Sequence, residues 1–241
     1  CSQSRGLGDV YKRQYPQFRS VFNKLELSLK LGYNCGPACV PVTRSGMYII
    51  RPIYNLYGMS VSARFAFISR DDKLSMENHK FVPPGHFWCE AFEGSHYSID
   101  YRYIYDGKGG IHSRWEPINT TIGEKDGLQF TRWTKIKNKY WDLPNWLDEL
   151  QEVGYLNIEF IDDKIIEIHL RTGHDIVDDD PIGTEMIPIW KDTPEQIIEE
   201  YIVQGYTRHD NPFADVYDAS GYIENPRIGY LKNAKILSSS E

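Results

Sequence analysis

Residues 154–175 read GYLNIEFIDDKIIEIHLRTGHD, and the fold turns on how they are paired. Apolar residues alternate on either side of Asp162-Asp163, the pattern of a half-buried β-hairpin. A three-residue loop of Asp162, Asp163 and Lys164 predicts one wholly apolar face, with Phe160 opposite Ile166, Ile158 opposite Ile168 and Leu156 opposite Leu170. The other face then pairs Glu159 with Glu167, Asn157 with His169 and Tyr155 with Arg171. A two-residue loop shifts the register by one and sets Glu159 against Ile166, mixing the faces. The three-residue loop is therefore expected.

That register gathers two carboxylates and an imidazole on one patch, since cross-strand partners lie about 5 Å apart. Adjacent carboxylates repel and raise each other's pKa unless a cation sits between them. Hard oxygen ligands suit Mg²⁺ or Mn²⁺. Glu159, Glu167 and His169 are thus candidate metal ligands, although the same residues would also suit a solvated hairpin face.

The chain has 241 residues, room for one large domain or two small ones. Its 41% apolar and 25% charged content supports a sizeable core and argues against disorder. A net charge of −7 argues against nucleic acid or a membrane surface as partner. No apolar run approaches the ~18 residues of a membrane span, and no secretory signal opens the chain, so a cytoplasmic location is expected. Cys35 and Cys39 could share a helical face, but without nearby histidines they read as free thiols rather than zinc ligands. Residues 4–14 lack periodicity, and Asp9 through Gln14 match the codons GAT GTG TAT AAG AGA CAG of a transposase sequencing adapter. Residues 1–14 are therefore expected to be a metagenomic assembly artefact, with the native N-terminus outside the sequence.

Elsewhere the periodicity predicts a helix over 15–31, carried by Phe18, Phe22, Leu25 and Leu29 and stopped by Gly32. Strands are expected at 47–53, 63–69, 86–92, 96–105, 111–118 and 185–190, with 119–127 as a loop. The stretch 128–140 carries Arg132, Lys135, Lys137 and Lys139, which reads as a solvated strand edge or a phosphate contact. Asp142 is placed as the cap of a helix with Pro144 in its first turn and Gly154 past its end. Thr193 is placed as the cap of another, with Pro194 at its first position. The pattern is α+β: antiparallel hairpins with helices packed on them.

Three stretches, in this order, resemble the ATP-grasp superfamily, whose members hold ATP between two antiparallel sheets. MYIIRPIYNLYGMS (47–60) is similar to its basic strand and phosphate-covering loop. FWCEAFEGSHYSIDY (87–101) is similar to its hinge and the long strand that follows, and LNIEFIDDKIIEIHLR (156–171) to its terminal metal hairpin. The resemblance implies one unit over 15–241, with a smaller lobe at about 47–92 and a larger one at about 93–241 enclosing a nucleotide cleft. It implies that Arg51 contacts the ATP phosphates, that Gly58 and Met59 lie in the covering loop, and that Glu90, Ala91 and Phe92 hold adenine. His96 or Glu93 would take the ribose. Glu159 and Glu167 match the magnesium carboxylates, and His169 stands where the family has Asn. That exchange implies a Mn²⁺ preference, an outer role for His169, or a weakened enzyme. Arg171 is placed to meet charge on a transferred phosphoryl group.

The implied chemistry is ligation: ATP phosphorylates a carboxylate of a small molecule or peptide, and an amine or similar nucleophile displaces the phosphate. Two other readings remain. One is a nucleotide-binding protein of the same fold without turnover. The other is a metal-dependent hydrolase using Glu159, Glu167, His169 and His174.

Overall fold

A computed structural model of the protein describes residues 14–54, 63–70, 82–106, 113–173, 175–211 and 225–233. Twelve strands are formed by these residues: β1 Cys35–Pro37, β2 Gly46–Pro52, β3 Arg64–Ile68, β4 His86–Glu90, β5 His96–Ile104, β6 Arg114–Asp126, β7 Gln129–Ile136, β8 Tyr155–Ile161, β9 Lys164–His169, β10 Glu185–Trp190, β11 Thr207–Asp210 and β12 Arg227–Asn233. Two α-helices, α1 Lys24–Lys30 and α2 Glu195–Val203, and two tighter helical segments, Pro16–Phe22 and Asn145–Val153, complete the described elements.

The strands make two antiparallel sheets, ordered β1-β4-β2-β3 and β11-β12-β10-β7-β6-β5-β8-β9. One face of the larger sheet is apolar: Ile99, Leu156, Ile158 and Ile168 are fully buried beneath Leu147 and Leu150 of Asn145–Val153 and Leu27 of α1. Burying such a face against helices is the main favourable contribution to an α+β fold. The smaller sheet has its own cluster around Tyr48, Ile50 and Trp88. Among the described residues no helix is long and apolar enough to cross a membrane.

The β8–β9 pairing sets Asn157 opposite His169, Ile158 opposite Ile168 and Glu159 opposite Glu167, the register expected at the acidic patch. The loop itself differs. Lys164 pairs with Ile161 and Ile165 with Phe160, so Asp162-Asp163 is a two-residue turn and Ile166 is an extra residue on β9. A β-bulge absorbs the one-residue slip that a two-residue loop would otherwise impose. Leu156–Leu170 and Tyr155–Arg171 are not ladder pairs, because β9 ends at His169.

Several other expectations are corrected. The 15–31 helix breaks at Asn23, whose extended backbone and side-chain acceptor for the Glu26 N–H (3.0 Å) make it a cap. Pro144, not Asp142, precedes Asn145–Val153. Likewise Pro194, not Thr193, precedes α2, and the Thr193 hydroxyl accepts from the Trp190 N–H instead (2.9 Å). Residues 119–126 are strand rather than loop. The first half of the basic stretch, with Arg132 and Lys135, lies on the interior strand β7 and the rest follows it: Lys135 is buried with its ammonium on the Val177 carbonyl (2.9 Å), and Lys139, beyond the strand, donates to the Tyr97 hydroxyl (2.7 Å). Cys35 sits in β1 and Cys39 in the turn beyond, so the two share no helix.

The hairpin tip is docked onto the start of β5. Asp162 Oδ1 accepts the Ser95 N–H at 2.9 Å, and Gly94, at φ 137°, leaves room for that carboxylate. A Cβ at Gly94 would lie 2.2 Å from Asp162 Oδ2. Gly94→Ala is therefore expected to destabilise the fold by roughly 1–3 kcal/mol, from a backbone region closed to Ala plus displacement of Asp162. Urea unfolding would measure it, and a loss below about 0.5 kcal/mol would show that the tip is not held there.

Candidate functional site

Strand alternation aims one face of each sheet, polar in the larger and largely apolar around Arg51 in the smaller, into one cleft of about 430 Å³. The smaller sheet contributes Ile49, Arg51, Phe65 and Cys89 to its wall. The larger contributes Ser98, Asp100, Glu159, Glu167 and His169, while the core residues between them point the other way.

Glu159, Glu167 and His169 bring one ligand atom each within 4.8 Å of one another. His169 Nε2 lies 3.6 Å from Glu159 and 3.3 Å from Glu167. Two further side chains flank the pair, His96, which the resemblance placed at the ribose, and Lys24, which it did not single out: His96 Nε2 is 3.0 Å from Glu159 Oε2, and Lys24 Nζ is 3.0 Å from Glu167 Oε2. Burial pushes the Glu159 carboxyl up, but hydrogen bonds from His169 and His96 outweigh it and hold the group well below the usual carboxylate range. For Glu167, too, burial acts upward, and Lys24 followed by His169 bring the carboxyl below its ordinary value. Both acids are ionised donors, so the set fits a divalent cation.

Arg51 is buried in the opposite wall. Its guanidinium donates to the carbonyl of the bulged Ile166 (3.3 Å) and lies over the Phe87 ring, while its Nε has no hydrogen-bond partner among the described residues. Lys125, at the end of β6, stands over the Phe130 ring, and burial pulls its pKa down despite the opposing pull of Glu159. Two cations in a partly desolvated wall suit an anionic ligand.

The remaining sequence candidates are distributed as follows. Phe92 lines the cleft with its ring edge-on to Tyr33. Glu90 lines it too, but its carboxylate accepts from the Asn34 N–H and from Arg44. The Ala91 N–H donates to the Met47 carbonyl (3.1 Å). Glu93 is exposed and outside the cleft wall, and His96 lies at the acidic cluster. Arg171 lines the cleft and donates to the Thr172 carbonyl (2.8 Å). Gly58, Met59 and His174 lie outside the described residues.

The cleft floor was not legible from sequence. Asp100 Oδ1 accepts from Asn157 (2.8 Å) and from the Gly173 N–H (2.7 Å), and Oδ2 accepts from Asn119 (2.9 Å). Asn119 and Asp100 are both buried on paired strands. Polar residues at alternate positions of 96–100 and 119–121 were the available signal. At the far end, Arg227 makes a two-pronged ion pair with Asp175 (2.7 and 2.8 Å).

Among solved structures, the chain is similar to N5-carboxyaminoimidazole synthetase from Staphylococcus aureus in complex with ADP. The TM-score is 0.55 at 11% identity, covering 92% of this chain and 69% of that one. The fold is ATP-grasp-like. An L-amino acid ligase from Bacillus licheniformis aligns at TM-score 0.49 and 7% identity, over 92% of this chain and 68% of that one, a likeness too distant to carry weight. No protein-family model matches the chain, and no curated protein matches it in sequence. At such identities the ATP-grasp-like fold is what the likeness shows; substrate and turnover are separate questions.

Proposed function

We propose that this protein is an ATP-dependent ligase that activates a carboxylate as an acyl phosphate and passes the acyl group to an amine or similar nucleophile. The observation that carries this reading is the cleft itself: Arg51 and Lys125 with the Glu159–Glu167–His169 cluster, between two antiparallel sheets. Glu159, Glu167 and His169 would hold Mg²⁺ or Mn²⁺, which when bound supplies charge neutralisation for phosphate oxygens. Each side chain has a defined share of the remaining work. Arg51 and Lys125 bind phosphate oxygens, Arg51 through donors left over from its single carbonyl contact. Phe92 and Ile49 supply apolar surface for a purine, and Arg171 meets charge on the transferred group. His96 holds one Glu159 oxygen and fixes the carboxylate's orientation. The acid and nucleophile would be small molecules or peptides, in keeping with the acidic net charge.

Nucleotide binding without turnover is the second reading, favoured by His169 and by the Lys24 ammonium already on Glu167. The deciding experiment is a thermal melt with ATP, with and without Mg²⁺ or Mn²⁺, followed by ADP release with candidate acids and amines. ATP at about 100 times its Kd stabilises by about 2.7 kcal/mol, or roughly 5–10 °C for a chain of this length. Mn²⁺ is expected to give the larger shift because imidazole favours softer cations, and His169→Asn is expected to remove that preference. No shift with either metal in a folded sample would overturn the nucleotide reading.

A further inference from the structure

The cysteines of the smaller sheet fall outside this chemistry. Cys35 on β1 is directly opposite Cys89 on β4. One position along, the Glu90 N–H donates to the Asn34 carbonyl at 2.8 Å. The 34/90 pair is therefore hydrogen-bonded and the 35/89 pair beside it is of the non-hydrogen-bonded kind. Opposed Cα atoms at such a pair approach to about 4.5 Å with their side chains closest. That spacing lies within the ~4.4–6.8 Å that a disulfide spans.

We propose that Cys35 and Cys89 form a redox-active dithiol, oxidised to an intramolecular disulfide by low-molecular-weight disulfides such as oxidised glutathione. The two thiols are in hydrogen-bond contact and differ in character. Cys35 is half-buried, and the hydrogen bond from Cys89, with Arg51 nearby, brings its pKa below the ordinary thiol value. Cys89 is buried in the cleft wall, and that same hydrogen bond followed by burial pushes its thiol up. Cys35 is thus the attacking sulfur. Its thiolate attacks one sulfur of the small disulfide, the S–S bond breaks, and one thiol leaves with a proton. The Cys89 sulfur then gives up its proton and attacks Cys35 in the mixed disulfide, releasing the second thiol. Two electrons pass from the protein dithiol to the reagent, which is reduced to two thiols.

The site is tied to the cleft on both sides. Cys89 precedes Glu90 and lies beside Ser28 of α1, whose hydroxyl donates to the carbonyl of Lys24 (2.7 Å), the residue that holds Glu167. Drawing the Cys89 sulfur to Cys35 takes it from that contact, so oxidation alters the wall and its link to the acidic cluster.

The test is peptide mapping of the folded full chain after treatment with oxidised glutathione, acid quench and alkylation of remaining thiols. A Cys35–Cys89 cross-linked peptide that forms intramolecularly, reverts with dithiothreitol, and is unaffected by Cys39→Ser supports the proposal. Cys35→Ser is expected to leave Cys89 unmodified, and Cys89→Ser to trap glutathione on Cys35. A stable glutathione adduct on Cys35 in the unsubstituted chain, or cross-links through Cys39 in its place, would overturn it. None of these readouts involves nucleotide, so the dithiol and the ligase reading can fail separately.

Discussion

Glu167→Gln is expected to abolish divalent-cation-dependent nucleotide binding while leaving the fold in place. The carboxylate lies 3.3 Å from His169 and 3.0 Å from the Lys24 ammonium, and its side chain is 14% exposed, so it belongs to the cleft wall rather than the core. An amide of the same shape keeps the packing. It removes one of two charged ligand groups and leaves Lys24 beside a neutral side chain, so the local potential turns positive where a cation must sit. Both effects act in one direction. Losing a partner that only orients a metal ligand costs about 10–100-fold in affinity, and losing the ligand itself should exceed that. The stability change is small by comparison, about 1–2 kcal/mol at most, because relief of Glu159–Glu167 repulsion offsets the lost ion pair. Calorimetric titration of ATP with Mn²⁺ checks the first part and a melt without ligand the second. Unchanged affinity would remove the metal assignment.

The acidic patch was legible in the sequence because period-two alternation decides which side chains share a face, and residues 156–160 and 166–170 alternate cleanly. The loop length was not, since the bulge at Ile166 arises from tertiary contacts, including the Arg51 hydrogen bond to its carbonyl. Lys24 was read as an ordinary residue of a predicted helix. Nothing local pairs it with Glu167; the pairing follows from where α1 packs against the hairpin.

The misreading of 119–127 has a different cause. Asn119, Thr120, Thr121 and Gly123 resemble loop composition, but they occupy a strand for specific reasons. Asn119 and Thr121 face the cleft, and Gly123 allows Phe130 and Trp133 to approach where a Cβ would be 2.8–3.0 Å away. Polar composition there reflects a site rather than a turn. The smaller sheet was easier, because MYIIRPI and HFWCE carry the β-branched and aromatic residues that strands favour.

Asp100→Ala is expected to cost about 3–5 kcal/mol, the largest single loss among the cleft residues. Asp100 is 3% exposed, and its two oxygens take the Asn157 amide, the Asn119 amide and the Gly173 N–H, all at 2.7–2.9 Å. Removing the carboxylate strands three donors in a buried site, and each then loses a charge-assisted bond without gaining water. Asp100→Asn separates charge from shape. It retains one acceptor oxygen but turns an amino group toward existing donors, so an intermediate loss is expected. Urea unfolding of both variants gives the values, and a loss under about 1 kcal/mol for Ala would mean that water replaces the carboxylate. The consequence reaches beyond stability. The Gly173 N–H and, through Asn119, the Ile176 carbonyl (2.8 Å) are the points nearest Arg171 in sequence at which the segment after β9 is tied to the larger sheet, ahead of the Lys135 contact to the Val177 carbonyl. Arg171 lies at the start of that segment. A variant that stays folded at low temperature should therefore bind metal through Glu159 and Glu167 yet hold Arg171 loosely. It would then separate nucleotide binding, retained, from transfer, lost.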